Sequence, residues 1–299
     1  MKRRSLAGLL PVLLVAGGVA GLVVRERTAF ARAIDLMADS PSVLWLAAFA
    51  ALIAGRGVLA GCSFAVAEAH LARSPARASI FAWLRSAITK YVPGVVWFPL
   101  TAVDRLRRAG IDARAAALGF YVDAVGSIVA AVIVGAIAVP ALVSDGVATA
   151  WWLLLGIPAV LSLHPRLFAM GIAVIGRLTS RRMDGVALRW PTVANVVGLH
   201  VGSWIAAGFS LQLVFHALGS NVSWPLIFAA TSISWAIGLL AIPVPAGLGI
   251  REAVLVTLLV AEIPTSTAVA AALASRALFV ALDALSLGAS FVLRQPDTR

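Results

Sequence analysis

Charged residues and cysteines are scarce in this chain of 299 residues. Asp, Glu, Lys and Arg together make up 12% of it, and Cys62 is its single cysteine. A lone cysteine excludes a small module held together by internal disulfides, and we expect Cys62 to pack among buried small residues. Because soluble domains carry about 25% charged residues, the low charge also excludes an ordinary soluble enzyme.

Hydrophobic residues make up 61% of the chain, which is more than the core of a soluble protein of this length could bury. The same excess excludes a disordered chain. Runs that reach the ~20 residues of a spanning helix recur without the period-2 alternation of barrel strands. We therefore predict an all-α polytopic transmembrane bundle of about eight membrane segments, forming one domain over residues 1–299 with no soluble domain. The predicted segments are residues 6–24, 43–67, 78–101, 115–143, 147–163, 193–218, 224–243 and 265–293.

The net charge of +11 is concentrated between the apolar runs. Lys and Arg cluster at residues 2–4, 105–114 and 166–189, whereas the connections at 144–146 and 219–223 contain neither. By the positive-inside rule, this distribution predicts that the N-terminus and both Arg-rich segments face the cytoplasm. Topology thus explains the basic balance, and we expect no nucleic-acid partner.

Two apolar stretches are interrupted by proline and glycine. One reads KYVPGVVW at residues 90–97, and the other reads PVPAGLGIRE at residues 243–252. Proline removes a helical hydrogen bond and glycine lets the backbone reverse, so both sites predict broken, re-entrant helices. Such a pair in the two halves of a transporter points to its binding site, and it suggests an inverted repeat with halves near 1–145 and 146–299.

The residues at the two breaks favour an anionic ligand. Each break is followed by a new helix whose free N–H groups carry partial positive charge, with Lys90 or Arg251 beside it. Glu252 is placed either to cap its own helix or to pair with Arg251. The simpler alternative is that both motifs are kinks or tight turns, which are common in transmembrane helices. The candidate substrate-binding residues are Lys90, Pro93, Gly94, Gly247, Gly249, Arg251 and Glu252.

Four further charged residues, Arg56, Asp123, Arg276 and Asp283, lie inside long apolar runs. Each is costly to place in a bilayer, so we expect them to face the protein interior. Arg276 and Asp283 are seven residues apart and therefore share a helix face. The functional interpretation is a translocation path, with Asp123 or Asp283 as a counter-ion or proton carrier. The alternative is static pairing between helices, for example of Arg56 with Asp123.

No sequence pattern predicts a metal or a cofactor. The four histidines lack metal-ligand spacing, and there is no Walker-type phosphate loop, H-E-x-x-H or G-x-S-x-G motif. Without an ATP-binding motif, we expect any transport energy to come from a gradient or from consumption of the substrate.

The interrupted motifs resemble those of a known membrane family. PAGLGIRE at residues 245–252 is similar to the P-G-G-L-G-x-R-E signature of the lysylphosphatidylglycerol synthase transmembrane family, also called flippase-like. Residues 90–97, RRAG at 107–110 and LHPRL at 163–167 resemble segments of one branch. Two positions depart from the pattern, since Ala246 replaces a glycine and Val95 replaces a lysine that is a candidate phosphate contact.

This resemblance implies a multi-pass protein of the bacterial inner membrane that translocates a lipid for cell-envelope biogenesis. The implied ligand is an anionic phospholipid or a polyprenyl-phosphate-linked (glyco)lipid, held by its headgroup in a midplane cavity. Two-domain members carry a soluble aminoacyltransferase domain, and this chain ends at Arg299 without one. We therefore expect a transporter and not a lysyl-lipid synthase.

The residues also leave two rival functions open. A membrane-embedded glycosyltransferase or other lipid-modifying enzyme needs acidic residues near a membrane face, for which Asp104 and Asp112 are candidates. A non-catalytic scaffold would instead dock an envelope-synthesis partner protein through the Arg-rich segments.

Overall fold

A computed structural model describes residues 27–92, 97–138, 188–240, 247–260 and 262–292, with five further positions between 161 and 170. These residues contain no β-strand, so the predicted all-α class is confirmed. The described helices are α1 (Arg27–Ala38), α2 (Ser42–Leu71), α3 (Ala76–Ser86), α4 (Trp97–Arg108), α5 (Ala113–Ala138), α6 (Trp190–Ala217), α7 (Trp224–Leu240), α8 (Ile250–Leu259) and α9 (Thr265–Val292).

Four of the described helices, α2, α5, α6 and α9, are long and apolar enough to cross a membrane. A helix of 28 residues, such as α6 or α9, extends about 42 Å and exceeds the ~30 Å hydrocarbon core. Helix α7 is apolar but has only 17 residues. The polytopic helical bundle is therefore confirmed. The predicted segments at 6–24 and 147–163 lie outside the described residues, apart from the single position 161.

Helix α6 packs against α2, α5, α7 and α9 and so connects much of the described bundle. Its contact with α2 depends on a glycine, because a Cβ on Gly55 would lie 2.6 Å from the Cβ of Ala206 and 2.9 Å from the carbonyl oxygen of Ser203. The hydroxyl of Ser210 also donates a 2.7 Å hydrogen bond to the carbonyl oxygen of Ala48. Small residues and interhelical hydrogen bonds are the usual means by which membrane helices associate.

Helix α2 changes its winding along its length. The segment Ile53–Leu59 is a π-helix, and Arg56 lies within it. Such π-bulges occur frequently at functional sites. Cys62 follows it and is exposed, so the expectation that it packs among buried residues is wrong. The reason is helical position: Ser63 is buried against α5, and Cys62 lies about 100° away around the helix.

Regular helix ends at both predicted breaks. Helix α3 passes into a 3-10 turn, Ala87–Tyr91, and α4 begins at Trp97, while α7 ends at Leu240 and α8 begins at Ile250. Gly247 and Gly249 have φ angles of +64° and +83°, a backbone region that strongly favours glycine. Pro93, Gly94 and residues 241–246 lie outside the described residues. The re-entrant course, the inverted repeat and the single-domain organisation therefore stay predictions.

Candidate functional site

A cavity of about 310 Å³ lies inside the bundle, and every helix from α2 to α9 contributes to its lining. Residues that are far apart in the sequence are thereby brought together. Its charged and glycine lining includes seven residues singled out from the sequence: Arg56, Lys90, Asp123, Gly247, Arg251, Arg276 and Asp283. Its walls are aromatic as well as charged, with the side chains of Trp83, Tyr91, Phe98, Phe120, Trp235 and Phe279.

Lys90 forms an ion pair with Asp283 of α9, and both residues line the cavity. Its ammonium nitrogen Nζ lies 2.8 Å from Asp283 Oδ1, to which it donates. The neighbouring Tyr91 hydroxyl donates a 2.6 Å hydrogen bond to Asp283 Oδ2. The 3-10 turn before the first break is therefore tied to α9 through both carboxylate oxygens.

Arg251 lies in the first turn of α8, directly after the second break. Its guanidinium donates a 3.3 Å hydrogen bond to Ser275 Oγ and stacks 4.1 Å from the ring centroid of Phe279. Among the described residues, no carboxylate lies within the 4.0 Å of an ion pair with it. Arg251 thus brings a positive charge to the cavity that an aromatic face and a hydroxyl stabilise only in part.

Arg56 occupies a similar environment on the π-helical part of α2. Its guanidinium donates a 3.2 Å hydrogen bond to Ser203 Oγ and lies 4.5 Å from the Trp204 ring and 5.9 Å from the Trp235 ring. Within the described residues it forms no ion pair, so the alternative of a direct pair with Asp123 is not observed there. Asp123 instead lies 2.9 Å from His200 Nε2.

Glu252 stabilises the N-terminus of α8 and is not itself one of the residues that line the cavity. Its Oε2 accepts a 2.6 Å hydrogen bond from the Gly249 backbone N–H, so the carboxylate caps its own helix as one interpretation proposed. Its Oε1 lies 3.5 Å from Arg276 Nη1, so its ion-pair partner among the described residues is Arg276 and not Arg251. Gly247 completes this turn, because a Cβ there would lie 2.8 Å from the backbone of Gly238.

The cavity lining has more positive than negative charge. Four cations face it, Arg56, Lys90, Arg251 and Arg276, against the carboxylates of Asp123 and Asp283. Lys90 is neutralised by Asp283 and Arg276 by Glu252, which leaves two arginines without an acidic partner in the described part of the chain. Because a cation without a carboxylate in direct contact is costly away from water, this arrangement favours the entry of an anion.

One comparison with known proteins bears on this geometry. The family model described as "Lysylphosphatidylglycerol synthase TM region" matches residues 6–285. The chain belongs to this family. The match extends over α1–α8 and most of α9, and so includes every described residue that lines the cavity. No curated protein matches the chain.

Membership of the lysylphosphatidylglycerol synthase TM family makes this a multi-pass membrane protein of a lipid-related cell-envelope group. The residues that resemble the family signature surround the second break: Gly247 and Arg251 line the cavity, Gly249 is the N-cap residue of α8, and Glu252 bonds the Gly249 N–H. The roles of these residues in binding stay predictions. Pro93 and Gly94 of the first motif lie outside the described residues, as does Ala246.

Several cavity residues of this family member were not singled out from the sequence. Tyr91 and His200 contact the two lining aspartates, and Trp83 and Trp235 form part of the wall. Tyr91 adjoins Lys90 within the interrupted motif at residues 90–97, and that motif is the signal that points to it. His200 and Asp123 are 77 residues apart, so no local pattern connects them.

The two acids considered for a membrane enzyme lie at helix ends. Asp104 accepts hydrogen bonds from Arg107 and Arg108 at 2.9 and 2.8 Å near the end of α4. Asp112 accepts hydrogen bonds from the backbone N–H groups of Arg114 and Ala115 at the start of α5. Asp104 is thus engaged in ion pairs within its own helix, and Asp112 caps the N-terminus of α5.

Proposed function

We propose that this protein binds the anionic headgroup of a phospholipid or a polyprenyl-phosphate-linked (glyco)lipid in the cavity and translocates the lipid. It acts in the bacterial inner membrane, with its N-terminus in the cytoplasm, as part of cell-envelope biogenesis. The observation that carries the proposal is the pair of cavity arginines, Arg56 and Arg251, that lack an acidic partner among the described residues. A phosphate offers the charge and the acceptor oxygens that guanidinium groups bind best.

The size and walls of the cavity favour a headgroup over a whole lipid. Its volume of about 310 Å³ is at the lower end of ligand pockets, which hold about 300–1,000 Å³. Aromatic side chains form much of the wall, so the site suits a group with both a charged and an apolar part. The acyl or isoprenyl chains would stay in the bilayer while the headgroup crosses, which avoids moving them through water.

The ion pairs suggest how the site accepts and releases its ligand. Lys90 is held by Asp283 in the structure, and its side chain is still 35% exposed. A phosphate bound by Arg251 would compete with Asp283 for the Lys90 ammonium group. The headgroup would bind when its phosphate replaces Asp283 as the partner of Lys90. It would be released when Asp283 pairs with Lys90 again.

The test is lipid translocation by Arg251→Gln in proteoliposomes. The probe is phosphatidylglycerol with a fluorescent acyl chain, and the assay measures its protection from a quencher that reaches only the outer leaflet. A hydrogen bond to a charged group contributes about 1.5–3 kcal/mol, so we expect the rate at low probe concentration to fall roughly 10- to 150-fold. Arg251→Lys should recover part of it, because the charge remains without the planar guanidinium.

The matched control is Arg107→Gln, which removes an exposed arginine outside the cavity lining and should leave the rate unchanged. Thermal unfolding checks that Arg251→Gln is folded, which we expect because no carboxylate is left unpaired. Wild-type translocation by a folded Arg251→Gln variant would overturn the site, and equal losses in both variants would show that the effect is not specific to the cavity.

A further inference from the structure

A second polar cluster lies on the side of the cavity formed by α2, α5 and α6. It consists of Ser63, Glu68, Asp123 and His200, all of which are buried. Asp123 and His200 also line the cavity, whereas Ser63 and Glu68 lie behind them. The headgroup binding proposed above gives Asp123 and His200 no role beyond lining the cavity.

Glu68 is the least expected member of the cluster. It is 0% exposed, and neither of its carboxyl oxygens has a well-formed hydrogen bond among the described residues. Its carboxyl lies against the backbone of α5 at Gly119, where an added Cβ would be 2.6 Å from Glu68 Oε1. Gly119 and Asp123 are one helical turn apart on the same face, so the two carboxyl groups are neighbours. A buried carboxyl that no described cation pairs with is held most stably with its proton on.

Asp123 and His200 form the part of the cluster that meets the cavity. Asp123 Oδ1 accepts a 2.7 Å hydrogen bond from Ser63 Oγ and lies 2.9 Å from His200 Nε2. The other ring nitrogen, His200 Nδ1, is buried and has no partner in the described part of the chain. Asp123 and His200 thus form a hydrogen-bonded acid–base pair at the cavity wall, and one added proton would make the pair neutral overall.

Two charged groups outside the cluster affect it, Arg56 on α2 and Asp283 on α9. Arg56, on the same helix as Glu68, is attracted by Asp123 and also by Asp283 of α9. Between Glu68 and Asp123, both carboxyls, the interaction is repulsive when both are ionised. The cluster thus faces Arg56 on its cavity side, and its own net charge decides how strongly Arg56 is neutralised.

We propose that Glu68, Asp123 and His200 form a proton-binding site that couples passage of the headgroup to the uptake of one proton. Glu68 keeps its proton, and the exchanged proton is bound by the Asp123–His200 pair, which lines the cavity. Uptake makes the Asp123–His200 pair neutral overall, which leaves the positive charge of Arg56 available to the lipid phosphate. When the proton returns to water, Asp123 again competes for Arg56 and the headgroup is released. The coupling rests on the proposed function, but the proton site does not.

The protonated state of Glu68 is tested without transport, by infrared absorption spectra of the purified protein in lipid nanodiscs at neutral pH. We expect the carbonyl band of a protonated carboxyl that shifts on exchange into heavy water. It should disappear in Glu68→Gln and remain in Glu262→Gln, a matched change at an exposed acid that bonds Ser223. Retention of the whole band in Glu68→Gln would overturn Glu68 as a protonated member of the site.

The coupling is tested in proteoliposomes that carry fluorescent phosphatidylglycerol and an imposed pH gradient. For one coupled proton, the distribution of the probe between leaflets should change by up to about tenfold per pH unit. We expect any translocation that remains in His200→Gln and Asp123→Asn to be independent of the gradient, and Glu262→Gln to respond like the wild type. Should Asp123→Asn fail to fold, His200→Gln carries the test alone.

Each outcome of this second experiment is decisive. Wild-type translocation that ignores the gradient would overturn the coupling and leave the proposed function intact. An absence of translocation under either gradient would overturn both the coupling and the proposed function, while the infrared band would still decide whether Glu68 holds a proton.

Discussion

The ion pair between Lys90 and Asp283 makes the sharpest prediction, because its removal should weaken the protein and strengthen its ligand binding. In Asp283→Asn, the buried carboxylate that accepts from Lys90 and Tyr91 is replaced by a neutral amide of the same shape. Loss of one partner from a buried ion pair costs about 3–5 kcal/mol. Since the Lys90 side chain is 35% exposed, water offsets part of this, and we expect about 1–3 kcal/mol of lost stability.

The same change should improve the binding of an anion. The amide introduced by Asp283→Asn is uncharged, so the ligand phosphate no longer competes with a carboxylate for the ammonium group of Lys90. A favourable change of about 1.4 kcal/mol in effective electrostatic energy corresponds to a tenfold tighter complex, and we expect an effect of that order. A protein that is less stable when empty and binds more tightly should show a larger stabilisation by ligand than the wild type does.

The assay is thermal unfolding in detergent with and without glycerol 1-phosphate, combined with calorimetric titration of the same compound. Asp104→Asn is the matched control, because Asp104 also pairs with cations but lies outside the cavity lining and is 37% exposed. It should change neither stability nor binding appreciably at neutral pH. Weaker binding of glycerol 1-phosphate by Asp283→Asn would refute the competition between the two anions, and unchanged stability would refute the buried ion pair.

Two further predictions follow from the second break and from the Arg-rich segment. Gly247→Ala should lower the free energy of unfolding by about 2–4 kcal/mol and reduce probe translocation, because a left-handed φ is combined with a clash against backbone. Gly288→Ala is the control: it has open space around the new Cβ and should be neutral or slightly stabilising in thermal unfolding. The hydrogen bond from Arg107, with desolvation opposing it, holds the pKa of Asp104 below its usual range. The small contribution of Asp104 to the free energy of unfolding is therefore present above its ordinary pKa and is lost as pH falls through the lower pKa of the folded state. The unfolding profiles of Asp104→Asn and the wild type should therefore converge in the acid limb, and a gap that widens as pH falls would contradict this.

The bundle and the charged members of the cavity could be predicted from the sequence. Long apolar runs predict membrane helices because few other folds satisfy the backbone in a bilayer. Charges inside those runs, such as Arg56 and Asp283, had to face the interior for the same reason, and both line the cavity. The positions of the helix breaks could also be predicted, because proline and glycine act locally on the backbone.

Contacts between distant helices could not be predicted in the same way. Asp123 was a candidate partner for Arg56, but its position on α5 places it against His200 of α6. Glu252 had two possible roles, and its hydrogen bond with the Gly249 N–H shows that it caps the helix. The π-helical segment of α2, which contains Arg56, was not predicted from the sequence.

The central claim is that the cavity holds a lipid headgroup between Arg56 and Arg251. The measurement that tests it most directly is an electron cryomicroscopy map of the wild-type protein in nanodiscs that contain phosphatidylglycerol. We expect density for a phosphate within hydrogen-bond distance of the Arg251 guanidinium, with the acyl chains leading out into the bilayer. A cavity without lipid density, in a map that shows ordered lipid elsewhere around the same helices, would contradict the account.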